Sequence, residues 1–157
     1  LLGHVGTIAA GTENRRRSLG GASFRSLICY EAVLPDYVRQ ASKGVDFLVN
    51  VTEDVWYGRT AHIPQHVSVL ILRVVENRVP VVRCTNMGPS GVVAMSGRFR
   101  RGEKVFEPEG IRGEVEARSL PTLYRWGGHF FPLAMLLLAA LRWGLSRGLS
   151  GRSLGKR

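Results

Sequence analysis

One residue combines a nucleophilic side chain with a position that would expose it. This is Cys29, in the run Leu27-Ile28-Cys29-Tyr30-Glu31. An apolar strand ends there, and Pro35 and Asp36 open a helix a few residues later. A strand-to-helix corner presents its side chain and turns backbone N–H groups toward it. Such groups can hold the oxyanion of a tetrahedral intermediate. The bland alternative is a small buried thiol at a strand end, the commoner fate of a cysteine. No Gly-x-Ser-x-Gly nucleophile elbow competes with Cys29.

Other residues carry weaker chemistry. Glu31, two positions on along an extended chain, shares a side with Cys29 and could orient a base. Trp56 and Tyr57 lie in a polar and aromatic loop, where Trp56 could wall a substrate or simply pack. His62 and His66 stand at i and i+4 on a helix, a spacing compatible with zinc. No Glu follows His62, so the zinc-protease motif is incomplete and the expectation is no metal. Asn86 and Gly88 follow a strand and could line a site or turn the chain. Two cysteines, Cys29 and Cys84, are too few for a disulfide framework or a Cys-rich metal site. A disulfide between them stays open.

The elements that must position these residues read as α/β. Residues 1–22 are rich in Gly, Arg and Ser and read as a loop. Phe24 to Tyr30 reads as a strand, Asp36 to Lys43 as a helix stopped by Gly44, and Asp46 to Thr52 as a strand. The nearly continuous apolar run of that last strand suits burial on both faces. Pro64 to Asn77 is the clearest helix, with Val67, Leu70, Ile71 and Val74 at i, i+3, i+4 and i+7. Val79 to Thr85 follows as a strand. Gly91 to Met95 and Arg98 to Phe99 flank a Ser96-Gly97 hairpin signal, and Gly113 to Ala117 alternates like a strand. Alternation of strand and helix predicts layered sheet and helices.

Composition sets bounds. The chain has 157 residues, 45% of them apolar, enough for one core or part of a larger domain. It opens on Leu1 with no signal peptide in view, which reads as a fragment or a processed product. Net charge is +10, gathered in Arg15-Arg16-Arg17, in Arg98, Arg100, Arg101 and Lys104, and in the C-terminal tail. None of these clusters has the interleaved aromatics of a single-strand binder, and no DNA-binding motif stands out, so nucleic acid is not expected.

The C-terminal end differs in kind. Phe130 to Leu141 is a dozen residues without a charge. Extending the stretch from Trp126 to Leu145 reaches spanning length, at the cost of including His129, Pro132 and Arg142. Trp126 and Trp143 bracket it like interface anchors, and the tail beyond carries Arg147, Arg152, Lys156, Arg157 and no acid. The expectation is a transmembrane helix with its basic tail in the cytoplasm. The alternative is a core helix with a disordered basic tail.

Several segments together carry a family resemblance. Ile28-Cys29-Tyr30-Glu31 resembles the nucleophile motif of the carbon–nitrogen hydrolase (nitrilase) superfamily. Val49 to Gly58, reading Val-Asn-Val-Thr-Glu-Asp-Val-Trp-Tyr-Gly, resembles the Asn-Asp-x-Trp-Phe-Gly segment of bacterial apolipoprotein N-acyltransferases. Gln65-His66, Arg73, Glu76-Asn77-Arg78, Pro80, Arg83 and Thr85-Asn86-x-Gly88 continue it in register. Leu120 to Arg125, Gly128 and the apolar stretch are similar to that family's passage into its last membrane helix. The resemblance covers nearly all of the chain after Thr12.

It implies part of an αββα nitrilase-like sandwich over residues 1–119, a lead-in and transmembrane helix over 120–145, and a basic cytoplasmic tail over 146–157. It implies an enzyme of the bacterial inner membrane, with its catalytic domain extracytoplasmic. Such enzymes move an acyl chain from a phospholipid to the N-terminal amine of a diacylglyceryl lipoprotein, without a cofactor. Cys29 would be the nucleophile, the Tyr30 amide an oxyanion donor, and Glu31 a residue in or beside the site. Trp56, Tyr57 and Asn86 would bind substrate.

Two features depart from the pattern. The family's general-base Glu and its Lys lie upstream of the cysteine strand, whereas here Glu13 is the only acid before Glu31 and no Lys precedes Lys43. A cysteine without its base loses most of its activation. The chain alone is therefore expected to be inactive and a full-length parent active. In addition, Glu53 stands where the family has Asn, and Tyr57 where it has Phe. The competing readings are a soluble amidase of the same superfamily and a non-catalytic binding module.

Overall fold

The computed structural model describes residues 11–150 except 103, 105, 108 and 129, and leaves the side chains of 131 and 145–150 undescribed. The basic tail beyond residue 150 therefore lies outside the described residues. The chain forms two compact units, divided between Leu120 and Pro121.

The first unit is built on a six-stranded sheet in sequence order. Its strands are β1 (Arg17–Leu19), β2 (Ala22–Ile28), β3 (Phe47–Thr52), β4 (Val81–Thr85), β5 (Gly91–Val93) and β6 (Phe99–Arg101). The central strands β2, β3 and β4 are parallel, and the outer pairs are antiparallel. Parallel neighbours need a crossover, usually a helix. Helix α1 (Pro35–Ala41) joins β2 to β3, and α2 (His62–Asn77) joins β3 to β4.

The apolar stripe of α2 meets the sheet as its spacing predicts. Val67, Leu70 and Val74 are buried, and Ile71 is half-buried against the same core. Leu27, Val38, Leu48, Val81 and Val93 complete that layer. The register then fixes what lies side by side at the strand ends. Leu27 pairs with Asn50 and Asn50 with Arg83, on the covered face. One residue on, Ile28 pairs with Val51 and Val51 with Cys84. Those three are on the opposite face, where Ile28 is 66% and Val51 53% exposed.

Several expectations are corrected. The loop over residues 1–22 contains β1, because Gly20 and Gly21, both at positive φ, form a two-residue turn that folds Arg17–Leu19 back onto β2. The first long strand stops at Ile28, and Cys29–Val33 coil into a 3₁₀ turn. Gly113 to Ala117 is not a strand: among the described residues no ladder partner faces it, and only Val115 of the segment is even half-buried.

The second unit holds α3 (Leu123–Gly127) and α4 (Phe130–Ser150). The Thr122 hydroxyl caps α3 by accepting the Arg125 N–H at 3.0 Å. The expected transmembrane helix over 120–145 is not shown: among the described residues no helix is long and apolar enough to cross a membrane. The uncharged run of α4 spans about 18 Å, against a hydrocarbon core of about 30 Å, and Arg142 ends it. The helix nevertheless leaves Leu133, Leu136, Leu137, Leu138 and Leu141 exposed.

Candidate active site

Cys29 sits where β2 gives way to the 3₁₀ turn, with φ at 47°. A side chain in this left-handed region costs about 1–2 kcal/mol, so the surroundings must impose it. Three bonds do so. The Glu31 carboxylate reaches back to accept the Ile28 N–H at 2.7 Å. The Asn50 amide donates to the Leu27 carbonyl at 3.1 Å and to the Cys29 carbonyl at 3.4 Å. Asn50 is itself held by Arg83, whose Nη1 donates to its Oδ1 at 2.6 Å. The thiol at the centre is half-buried and free.

Beneath this elbow lies a polar cluster sealed from solvent. Asp54, His66 and Arg83 have side chains with no exposed surface. The Asp54 Oδ2 accepts from Arg83 Nη2 at 2.6 Å and from the Thr85 hydroxyl at 2.9 Å. Its Oδ1 faces His66 Nδ1 at 3.3 Å. Burial pushes the Asp54 carboxyl up, but His66, the Arg83 charge and Thr85 outweigh it and hold the group at about 2. Burial likewise draws Arg83 below its ordinary value, and Asp54 opposes that shift. The ion pair is therefore charged at neutral pH.

Above it, aromatic rings form the lip. Tyr57 stacks on His62 at 3.7 Å between ring centroids. Tyr30 lies 6.3 Å from His62 and 5.8 Å from His66. The Tyr57 hydroxyl is raised, by desolvation first and then by the charges of Cys29, Tyr30 and Asp54, so it remains a neutral donor. Trp56 is 83% exposed at the outer edge of this loop.

Cys29, Tyr30 and Glu31 thus share one turn, with Glu31 bonded to that turn's own backbone. Asn86 has its polar groups turned to the neighbouring loop: its Oδ1 accepts the Asp54 N–H at 3.0 Å, and its Nδ2 donates to Glu53. His62 and His66, alike in spacing, part company, one going to Tyr57 and the other to Asp54. Asn50, Asp54, Arg83 and Thr85 were not singled out by the sequence reading as site residues. The available signal was a charge inside an apolar strand run, Val81-Val82-Arg83-Cys84, which burial obliges to find a partner.

Gly88 has a physical role in this cluster. A Cβ there would run into Asp54 Oδ2, the oxygen that Arg83 and Thr85 hold. We expect Gly88→Ala to destabilise the fold by about 1–3 kcal/mol, the range for overpacking a close-packed site. Chemical denaturation compared with Gly113→Ala, whose added carbon meets only Val92 at 3.1 Å, checks this. Equal stabilities for the two variants would refute it.

A strained cysteine at the carboxyl ends of parallel strands, over a buried polar cluster, defines a nucleophile-elbow enzyme class of α/β architecture. Residues 12–111 match the carbon-nitrogen hydrolase family, and the chain belongs to it. It is 32% identical over 145 residues to a protein of Geobacter metallireducens named apolipoprotein N-acyltransferase, covering 90% of this chain and 27% of that protein. A protein of the same name from Rickettsia prowazekii is 36% identical over 114 residues, covering 72% of this chain and 22% of its own length. The chain thus spans about a quarter of the curated relatives it matches. Among solved structures, a mutant amidase from Nesterenkonia sp. AN1 is 25% identical with a TM-score of 0.53, covering 65% of this chain and 41% of that one. That amidase carries the acetamide moiety of fluoroacetamide covalently at its active-site cysteine.

Proposed function

We propose that the chain supplies the nucleophile half of an apolipoprotein N-acyltransferase. The observation that carries this is Cys29, held at φ 47° over a buried ion pair, in a chain whose curated relatives bear that name. The Cys29 sulfur attacks the ester carbonyl of a phospholipid. A carbon–sulfur bond forms, the acyl carbon–oxygen bond of the ester breaks, and the lysophospholipid leaves with the thiol's proton on its hydroxyl. The α-amino group of a diacylglyceryl lipoprotein then attacks the thioester. A carbon–nitrogen bond forms, the carbon–sulfur bond breaks, and the thiol regains a proton.

The Tyr30 amide donates to the oxyanion in both steps. Glu31 fixes the turn that presents it, while Trp56, Tyr57 and Asn86 line or shape the substrate face. The general base and its lysine come from a part of the protein outside these 157 residues. The same part supplies the second layer of an αββα sandwich, covering Ile28 and Val51. The 157-residue chain by itself is then inactive. Function at the extracytoplasmic face of a bacterial inner membrane fits the exposed leucines of α4, which demand an apolar partner.

Intact mass tests the reading. The full-length protein, incubated with phospholipid vesicles in mild detergent, should gain one acyl chain. Absence of that adduct would sink the acyltransferase. A soluble amidase, the reading favoured by the Nesterenkonia likeness, would instead extract without detergent and turn over small amides. A binding module would do neither.

A further inference from the structure

The fold contains a histidine for which the proposed chemistry has no use. His66 is 2% exposed and its side chain is wholly enclosed. Its Nδ1 faces Asp54 Oδ1 at 3.3 Å, and its Nε2 is buried with no hydrogen-bond partner. Asp54 is ionised and can only accept, so the proton of that contact sits on Nδ1. A hydrogen bond of this kind fixes a ring's tautomer and its rotation about the side-chain bonds. The fixed ring also lies 5.8 Å from the Tyr30 ring between centroids, tilted by 34°. Tyr30 is the residue directly after the strained Cys29.

We infer that His66 is a positioning residue, transmitting the fixed geometry of the Asp54–Arg83 ion pair to the Tyr30 ring and hence to the Cys29–Tyr30 peptide. The inference rests on the acyltransferase reading for its activity test, but not for its structural one. It explains why an imidazole, rather than a leucine, fills a wholly buried site on the stripe of α2. A leucine would fill the space without being anchored to the ion pair. It also gives Asp54 a second task. One carboxylate oxygen holds Arg83 and Thr85, and through Arg83 it braces Asn50 and the Cys29 carbonyl. The other holds His66 and, through it, the residue on the far side of the nucleophile. The elbow is gripped from both sides by a single anion.

The test uses the full-length protein in detergent. His66→Asn keeps a donor near the Nδ1 position for Asp54 and removes the ring beneath Tyr30. The rate of thioester formation per folded molecule should fall about 10–100-fold, less than the loss of an oxyanion donor outright. KM should stay within about twofold, since a contact made only in the transition state is affected. Adding Tyr30→Ala should cause no further loss, because both changes break one linkage. A wild-type rate per folded molecule, or losses that add, would overturn the inference. Should His66→Asn fail to fold, Tyr30→Ala alone must reproduce the loss, and a wild-type rate there overturns it equally.

Alkylation by iodoacetamide separates this inference from the function it rests on. Cys29 labelling is located by peptide mass and normalised to its labelling in the unfolded protein. If the unmodified protein forms no thioester, the acyltransferase reading fails. The ratio of folded to unfolded Cys29 labelling then decides alone. A changed ratio in His66→Asn supports the positioning role, and an unchanged ratio refutes it.

Discussion

Cys29→Ser is expected to abolish the acyl adduct and lower turnover of the full-length protein by at least about 10⁴-fold, the scale on which removing a covalent nucleophile acts. Serine is nearly the same size, so packing at the half-buried elbow changes little. The backbone bonds from Glu31 and Asn50 do not involve the sulfur and should persist. What changes is chemistry. A thiol is intrinsically the better nucleophile at neutral pH, whereas a serine hydroxyl needs a dedicated base within hydrogen-bond reach. Thermal unfolding of the variant should match the unmodified protein, and intact mass should show no acyl gain. An adduct retained in Cys29→Ser would move the nucleophile elsewhere, and Cys84 would be the next thiol to replace.

The parts of this site differ in how legible they were in the sequence. The three parallel strands were visible from their near-continuous apolar runs, as in Phe47-Leu48-Val49, although the face that carries Ile28 and Val51 is exposed. Helix α2 was visible from its 3.6-residue stripe. Cys29 was visible as a reactive type at a corner, but its positive φ was not, since the local bond from the Ile28 N–H to Glu31 does not suffice to demand it. That strain is imposed by Asn50, 21 residues away, and Arg83, a further 33. Their meeting depends on the register of β2, β3 and β4, which is tertiary information. β1 escaped because its strand is polar and fully exposed, although Gly20-Gly21 was a readable turn. Gly113 to Ala117 misled for the converse reason: it alternates as a half-buried strand does, yet only Val115 of the segment is even half-buried. The last helix was legible as a helix, and it runs over Phe130–Ser150. Its apolarity is what falls short of a spanning segment among the described residues, because Arg142 interrupts it.

The largest effect on stability should come from the Asp54–Arg83 pair. Arg83→Met removes one partner and leaves a carboxylate in a cavity with no exposed surface. Breaking a buried pair in this way costs about 3–5 kcal/mol, a large share of the roughly 5–15 kcal/mol that holds a domain together. The melting temperature should drop by roughly 10–20 °C. Asn50 would lose its anchor at the same stroke, so Cys29 alkylation should change even at temperatures where the variant stays folded. The double variant Asp54→Leu with Arg83→Met removes both charges, and it should recover much of the lost stability without recovering the elbow. Acid provides an independent check on the same pair. The folded carboxyl of Asp54 lies at about 2, below its ordinary 3.8, so its contribution to stability is complete above about pH 4 and is lost as pH falls through 2. Acid unfolding of the unmodified protein should therefore steepen in that window, and the double variant should lack the step. An Arg83→Met protein as stable as its parent would mean that the pair, for all its burial, does not organise the site. The account of why Cys29 can hold its strained conformation would then fail with it.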